Sequence, residues 1–249
     1  MSVFALSPRE CGNRLLSLLP DDDLAALSAH LEMVDLDLKQ VLGEREHAIS
    51  HVYFPCSAVL SVLAQMLEGQ AVEVGTIGNE GFYGIDVLLG GAQANATETT
   101  LCQVSGKALR LPTAAFVRVL DGSMSLRDVT QRYMLAYMSL LSQSVACNRL
   151  HTTEARFARW LLMTHDRVTE DTFHITQEFL ANMLGVQRPS VSLVAGAFQQ
   201  AGMIRYNRGQ MTILNRQALE ESSCECYGIV QQQFERRIGP FRKGCGDRR

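Results

Sequence analysis

The sequence predicts an α+β protein with an N-terminal β roll (jelly-roll-like), one long helix, and a C-terminal pair of helices followed by a hairpin. Three observations predict this architecture. Short alternating or β-branched runs, separated by turn residues, fill the stretch from Val34 to Leu111, as in sandwiches and rolls. A run without Gly or Pro extends from Ser125 to Leu150. Helical patterns and then a hairpin pattern follow between Thr176 and Asn215.

The first half of the chain opens with a helical segment from Leu15 to Leu31, in which Leu24, Leu27 and Leu31 share one face. Pro112 is expected to begin a short helical turn after the last strand. The strands predicted between these helical segments are Val34–Leu38, His51–Phe54, Ala58–Leu63, Ala71–Ile77, Thr99–Val104 and Ala108–Leu111.

The long helix of residues 125–150 carries two apolar stripes. The first consists of Val129, Tyr133, Ala136 and Leu140, and the second of Met134, Met138, Leu141 and Val145. A helix that is apolar on two sides must be covered on two sides. We therefore expect the β domain on one side and the same helix of a second chain on the other, burial inside one large domain being the alternative. The residues predicted for this dimerisation helix are Val129, Tyr133, Ala136, Met138 and Leu140.

Two shorter helices are predicted in the C-terminal half. Thr176 is a good N-cap, and Gly185 can adopt the left-handed conformation that ends the first helix. The second helix begins near Arg188, with Pro189 in its first turn, and Gly202 ends it.

A hairpin around the turn Asn207–Gln210 follows the second helix. Two helices with a tight turn and then a hairpin outline a winged helix-turn-helix, whose second helix enters the DNA major groove. A generic helical hairpin with solvated polar residues is the alternative. The residues predicted to contact DNA are Thr176, Gln177, Gln187, Arg188, Pro189, Ser190, Ser192, Arg205, Asn207 and Arg208.

Charge is distributed unevenly along the chain. The net charge is −3, but residues 1–150 carry 10 Lys and Arg against 16 Asp and Glu, whereas residues 151–249 carry 13 against 10. The basic half therefore coincides with the predicted DNA reader. Seven scattered cysteines, with no signal peptide or membrane span, predict a reduced cytoplasmic protein, with Cys56, Cys102 and Cys147 as small apolar residues.

The chain resembles the Crp–Fnr superfamily of bacterial transcription regulators between about Leu15 and Tyr227. The segments that carry the resemblance are HVYFPCSAVLSVL, EVGTIGNEGFYG, SQSVACNRLHTTEARFARWLLMTHDRV and ITQEFLANMLGVQRPSVS. The resemblance implies a homodimer, a cyclic-nucleotide-binding-like sensor domain, binding to palindromic double-stranded promoter DNA, and contact with RNA polymerase. It implies no enzymatic activity, and no catalytic residue is predicted.

Two departures from the family pattern concern specificity. Recognition helices of the family often carry Arg, then Glu, then a second Arg, whereas here Pro189 and Leu193 follow Arg188. The sensor domain lacks the Arg that binds the phosphate of cyclic AMP, because no Lys or Arg occurs between Arg45 and Lys107. The predicted effector pocket consists of Phe82, Tyr83, Gly84, Asp86, Asn95 and Thr97.

No cofactor or metal is expected, neither cyclic AMP nor haem nor an iron–sulfur cluster. Only Cys11 lies where family members hold a cluster. The side chains of Cys224 and Cys226 would diverge by about 200° on a helix, which argues against one shared metal.

Four segments follow from these patterns. Residues 1–124 form the sensor domain, residues 125–150 the dimerisation helix, residues 151–235 the winged domain, and residues 236–249 a disordered tail. The alternative function is a small-molecule or redox sensor whose winged domain is vestigial or binds protein.

Overall fold

The structure, a computed structural model, describes residues 8–240. Its first half contains four helices and seven strands. In chain order these are α1 (Arg14–Ser17), α2 (Asp21–Ser28), β1 (Glu32–Leu36), β2 (Val41–Gly43), β3 (His51–Pro55), β4 (Val59–Gln65), β5 (Ala71–Ile77), α3 (Ile85–Gly90), β6 (Thr99–Val104), β7 (Gly106–Pro112) and α4 (Thr113–Gly122). The antiparallel orders β1-β7-β3 and β2-β6-β4-β5 define two sheets.

The α+β architecture with an N-terminal β domain is confirmed. The predicted helix from Leu15 to Leu31 is wrong in one respect, because Pro20 separates it into α1 and α2. Proline lacks the N–H that a continuous helix would need at this position. The sequence pattern also missed β2 and α3, which are too short to show a clear period.

The core of the roll is aromatic. Phe82 lies 5.7 Å from Phe54, 5.8 Å from Phe116 of α4 and 5.4 Å from Tyr133, measured between ring centroids. Tyr133 belongs to α5 (Met124–Leu150), the long helix. The Ser123 hydroxyl caps α5 by accepting a hydrogen bond from the Leu126 N–H at 2.9 Å. These ring contacts hold α5 against the sheets.

The two stripes of α5 have different environments. Val129, Tyr133, Ala136 and Leu140 are fully or almost fully buried within the chain itself. Met138 is 55% exposed and Val145 is 73% exposed. The β domain therefore covers the first stripe, and the chain leaves much of the second uncovered.

The second half of the described chain contains five helices and a small sheet. They are α6 (Thr153–His165), β8 (Thr172–His174), α7 (Gln177–Leu184), α8 (Arg188–Gln200), β9 (Ile204–Asn207), β10 (Gln210–Ile213), α9 (Arg216–Ser222) and α10 (Cys226–Ile238). The hairpin pairs with β8 in the order β8-β10-β9, so the wing has a third strand that the sequence did not indicate. Residues 223–225 separate α9 from α10, where the pattern suggested one helix.

The boundary predicted at 236 for a disordered tail is too early, because α10 continues to Ile238. Residues 241–249 lie outside the described part of the chain. Along that part, none of the helices combines the length and the apolar character that crossing a membrane requires.

The winged domain packs directly on the sensor domain. Phe234 of α10 lies 6.2 Å from the ring of Tyr133. Arg167, just after α6, forms a buried ion pair with Glu80 of the roll, with 2.7 Å between the guanidinium and carboxylate. A buried pair of this kind fixes geometry more than it adds stability, since both charges lose their hydration.

Candidate nucleic-acid interface and sensor cavity

Local capping determines where α7 and α8 begin and end. The Thr176 hydroxyl accepts a hydrogen bond from the Phe179 N–H at 3.1 Å, and Gly185 ends α7 at a φ of 61°. Pro189 occupies the first turn of α8, where its missing N–H costs nothing. The turn between the helices is thus specified by residues that fit it, as the sequence predicted.

The start of α8 presents polar groups to solvent. Arg188 and Ser192 are exposed, and both can donate to the amide oxygen of Gln177, at 3.5 Å from Arg188 Nε and 3.2 Å from Ser192 Oγ. The Ser192 hydroxyl lies equally close to the Arg188 carbonyl oxygen, at 3.2 Å. Gln177 therefore orients two side chains of α8 from the first turn of α7. Leu193 is 77% exposed on the same helix. The sequence analysis named Leu193 only as a departure from the family's recognition-helix pattern and did not predict that its side chain is exposed beside the polar residues of α8.

The wing lies beside the start of α8. Arg208 and Gly209 have positive φ values of 47° and 81°, as the tight hairpin turn requires. The Tyr206 hydroxyl donates to the Ile175 carbonyl oxygen at 2.9 Å, and the Tyr206 N–H donates to the Gln199 side chain at 2.8 Å. These two bonds fix the hairpin against the helices.

A cleft of about 380 Å³, open to solvent, lies between the wing hairpin and the N-terminal ends of α7 and α8. Its lining includes Thr176, Gln177, Arg188, Asn207, Arg208 and, unforeseen from the sequence, His174 and Tyr206. Within the described chain, Arg188, Arg205 and Arg208 have no ion-pair partner. Arg188 and Arg208 line the cleft, and two guanidinium groups without ion pairs on a concave surface suit an anionic ligand such as a phosphate backbone.

The remaining predicted DNA contacts occupy the same region. Gln187, Pro189, Arg205 and Asn207 are exposed, and Ser190 is half-buried. Gln187 is the N-cap residue of α8, without a side-chain capping bond. Its amide is therefore available for other partners.

The N-terminal β domain contains a cavity of about 260 Å³ between the roll and α5, called the sensor cavity after the predicted effector pocket. Five predicted pocket residues line it, namely Phe82, Tyr83, Gly84, Asp86 and Thr97. The sixth, Asn95, is not among the lining residues; it is exposed and forms an isolated bridge with Ala48.

The electrostatics of this cavity are acidic. Its charged lining residues are Asp86 and Glu98, and none of its described lining residues is Lys or Arg. One buried oxygen of the Glu98 carboxylate has no hydrogen-bond partner among the described residues. Burial raises the pKa of Glu98, which the charge of Arg45 partly offsets. The cavity thus favours a neutral or positively charged occupant over a phosphate.

Comparison with known proteins identifies a domain in this part of the chain. A family model of a Crp-like helix-turn-helix domain matches residues 155–222. The C-terminal part of the chain therefore contains a Crp-like helix-turn-helix domain. No curated protein matches the chain by sequence.

Three solved structures illustrate the shared Crp/Fnr fold. FixK2 from Bradyrhizobium japonicum superposes with a TM-score of 0.65 at 10% identity, over 78% of this chain and 98% of its own. A CRP-family transcriptional regulator from Thermus thermophilus has a TM-score of 0.61 at 18% identity, over 76% and 96%. The c-di-GMP-responsive global regulator CLP from Xanthomonas campestris has a TM-score of 0.57 at 12% identity, over 78% and 99%.

The residues predicted for the dimerisation helix differ in exposure. Val129, Tyr133, Ala136 and Leu140 are buried in the chain's own core, which leaves little of these side chains on the surface. Of the five residues predicted, only Met138 faces outward. Helical periodicity found both stripes, but packing against the roll decided which one is free.

The argument against one metal shared by Cys224 and Cys226 does not hold for the observed geometry. Ligand atoms of Cys147, His151, Cys224 and Cys226 all lie within 4.8 Å of one another. The argument against a shared site assumed that Cys224 and Cys226 lie on one continuous helix. Cys224 instead precedes α10, and the break after α9 lets the two thiols converge.

Proposed function

We propose that this protein is a transcription regulator that binds double-stranded promoter DNA as a homodimer on palindromic sites. The observation that carries the proposal is Arg188, exposed at the start of α8, without an ion pair, and oriented by Gln177. A guanidinium in this position can form two hydrogen bonds with the O6 and N7 atoms of guanine. Arg205 and Arg208 on the wing would contact the phosphates beside that base.

The exposed Leu193 gives the proposed interface a further property. An apolar side chain on the groove-facing side of α8 can contact the methyl group of thymine. Pro189 and Leu193 provide no charge, so Arg188 is the basic residue of α8 available for reading bases. We therefore expect an operator half-site with one strongly required guanine, rather than the several that two arginines would read.

The homodimer part of the proposal rests on the exposed stripe of α5. Met134, Met138, Leu141 and Val145 repeat at intervals of four, three and four residues, the spacing of a coiled-coil seam. Met134, Met138 and Leu141 also line the sensor cavity. A partner helix on this stripe would therefore adjoin the cavity, and occupancy by an effector would change the surface on which the two helices meet.

Selection of bound fragments from a random DNA pool tests the proposed function. The expected result is a palindromic motif whose half-sites are about 34 Å apart, one turn of the duplex. Failure to enrich any motif, with or without cell extract as a source of effector, would favour the alternative of a sensor whose winged domain does not read DNA. A cytoplasmic location and contact with RNA polymerase stay predictions.

A further inference from the structure

Three cysteines and a histidine meet at the junction between the end of α5 and the start of α10. Cys147 lies in the last turn of α5, His151 caps that helix, and Cys224 and Cys226 flank the start of α10. The three cysteines are buried, and they form a small cluster separate from the main hydrophobic core, with Ala155 packed against it. We propose that these four side chains bind one tetrahedral Zn²⁺ ion that joins the long helix to the C-terminal helix.

The distances between the ligand atoms fit one tetrahedral ion. With Zn–S bonds of about 2.3 Å and Zn–N bonds of about 2.0–2.1 Å, a tetrahedral site separates two sulfurs by about 3.8 Å and a sulfur from a nitrogen by about 3.6 Å. The Cys147 and Cys224 sulfurs are 3.5 Å apart, and Cys226 Sγ is 3.5 Å from His151 Nδ1. An iron–sulfur cluster would hold its ligands on different irons, which requires a wider arrangement.

The surroundings of His151 favour the same assignment. His151 Nε2 lies 3.1 Å from a carboxylate oxygen of Glu225. When Nε2–H donates to this carboxylate, the lone pair of Nδ1 is directed toward the cysteines. Metal-binding histidines commonly have such a carboxylate on the far ring nitrogen. The Gln143 amide also donates to Cys226 Sγ at 3.0 Å, as a donor to a thiolate would.

The charge around the cluster can stabilise three thiolates. Three thiolates and one Zn²⁺ leave one net negative charge, and Arg156 and Arg159 lie close enough to interact with the cysteines. The Nε groups of both arginines are buried without a hydrogen-bond partner among the described residues.

These three sulfurs and one nitrogen select the metal class. Thiolate and imidazole ligands in tetrahedral geometry are typical of structural zinc sites, and a fourth protein ligand leaves no position open for catalysis. Cys147 and Cys224 are 77 residues apart in the chain. The ion would therefore crosslink α5, the helix proposed for dimerisation, to α10, and so restrict movement of α6 relative to α5 across the two-residue link at 151–152.

Metal analysis of tag-free, full-length protein purified under reducing conditions tests the site. We expect about one zinc per chain. Titration of the metal-free protein with Co²⁺ should give the intense visible bands of tetrahedral cobalt and a near-ultraviolet thiolate-to-cobalt band. Removing zinc should lower the melting temperature, because binding to the folded state alone stabilises it.

Variants locate the site. The double variant Cys224→Ser with Cys226→Ser should lose the zinc and the cobalt spectrum, and Glu225→Gln should weaken zinc binding about 10–100-fold while keeping the tetrahedral spectrum. Cys102→Ser is the matched control, since Cys102 is equally buried but lies in the sensor domain. It should retain one zinc.

Three outcomes would overturn the proposal. The first is reduced wild-type protein that binds neither zinc nor Co²⁺, a result that does not depend on whether any variant folds. The second is unchanged metal content in the double variant. The third is protein that contains no zinc as isolated, before any metal is removed, and in which Cys147 and Cys224 form a disulfide, detected as two missing thiols. Each outcome is independent of DNA binding and so leaves the proposed function to its own test.

Discussion

At the scale of single residues, the orientation of Arg188 before any ligand arrives matters most for the proposed DNA contact. The Gln177 amide oxygen accepts from Arg188 and from Ser192, so one residue of α7 restricts two side chains of α8. A guanidinium whose direction is already restricted loses less conformational entropy on binding. The contact with a base should therefore be specific in geometry as well as in charge.

Replacing Arg188 with alanine should cost about 1–3 kcal/mol on the selected site and relax the preference at one position per half-site. The matched control is Arg208→Ala. Arg208 lies on the wing, so its loss should weaken all sequences alike and reduce the salt slope by about one. Binding isotherms at several salt concentrations, on the selected site and on scrambled DNA, measure both effects. An unchanged motif for Arg188→Ala would mean that α8 does not read bases in this way.

A second residue, Glu73, should give stability a particular pH dependence. Its carboxylate accepts hydrogen bonds from the Ser61 hydroxyl and from the Trp160 indole, the latter at 2.9 Å. Burial nevertheless raises the pKa of Glu73 to about 7 from an ordinary value of 4.5. The folded chain thus binds this proton more tightly than the unfolded chain does. The Glu73 contribution to the free energy of unfolding must fall as pH rises between these two values and stay constant above them.

Glu73→Gln should remove this contribution, because an amide does not ionise and can serve both hydrogen-bond partners. The stability gained by the variant over the wild type should grow from roughly pH 5 to pH 7 and then level off. Urea unfolding across this range measures it. Glu68→Gln, on the exposed turn of the same hairpin, is the control and should follow the wild type. Parallel pH curves for Glu73→Gln and the wild type would contradict the argument.

At the scale of elements, α5 serves two surfaces at once. Its first stripe completes the aromatic core through Tyr133, while Met138 and Val145 remain exposed on the other side. An exposed apolar row along a long helix is a frequent mark of a protein interface. Part of this row lines the cavity of the β domain, and Val145 lies outside that lining, so the row fits the partner helix proposed above.

Met138→Glu combined with Val145→Glu should convert the dimer into monomers, because each carboxylate would face an apolar helix in the seam. Light scattering after size-exclusion chromatography measures the mass. Leu150→Glu is the control: Leu150 is 76% exposed on the same helix but points away from the stripe. Leu140 is unsuitable for this test, since its complete burial means that a charge there would unfold the chain. A wild-type monomer at micromolar concentration would exclude the dimer.

At the scale of the whole molecule, side-chain contacts connect the sensor cavity to α5 and α5 to the winged domain. Tyr133 contacts Phe82 of the roll on one side and Phe234 of α10 on the other. A change in the cavity can therefore reach the winged domain through side chains in direct contact. Coupling of this kind requires that the protein has two conformations and that the ligand binds one of them more tightly than the other.

Cyclic AMP and cyclic GMP should not be that ligand. Both carry a phosphate, and the charged lining residues of the cavity are the acids Asp86 and Glu98. A phosphate placed there would meet like charges and find no cation. Calorimetric titration of the full chain should show no binding at about tens of micromolar of either nucleotide. A micromolar dissociation constant with tighter DNA binding would overturn this prediction.

The sequence by itself determined the features that depend on neighbouring residues. Thr176, Gly185 and Pro189 define the ends of α7 and α8 because capping, left-handed backbone and proline geometry act within one turn. Alternation along the chain likewise defined β5 and β6, whose observed bounds equal the predicted ones. The Crp-like helix-turn-helix could be predicted for the same reason, since its helices and turn are encoded locally.

Only the tertiary structure decided which surfaces meet. Periodicity gave α5 two equivalent stripes, and the roll buried one of them because its aromatic residues fit Tyr133. Most of the winged domain lies between Cys147 and Cys224 in the sequence. In the structure their sulfur atoms are 3.5 Å apart, because the chain breaks between α9 and α10 and Cys224 lies in that break. Contacts between distant segments depend on how all the elements pack together, and no local pattern specifies that packing.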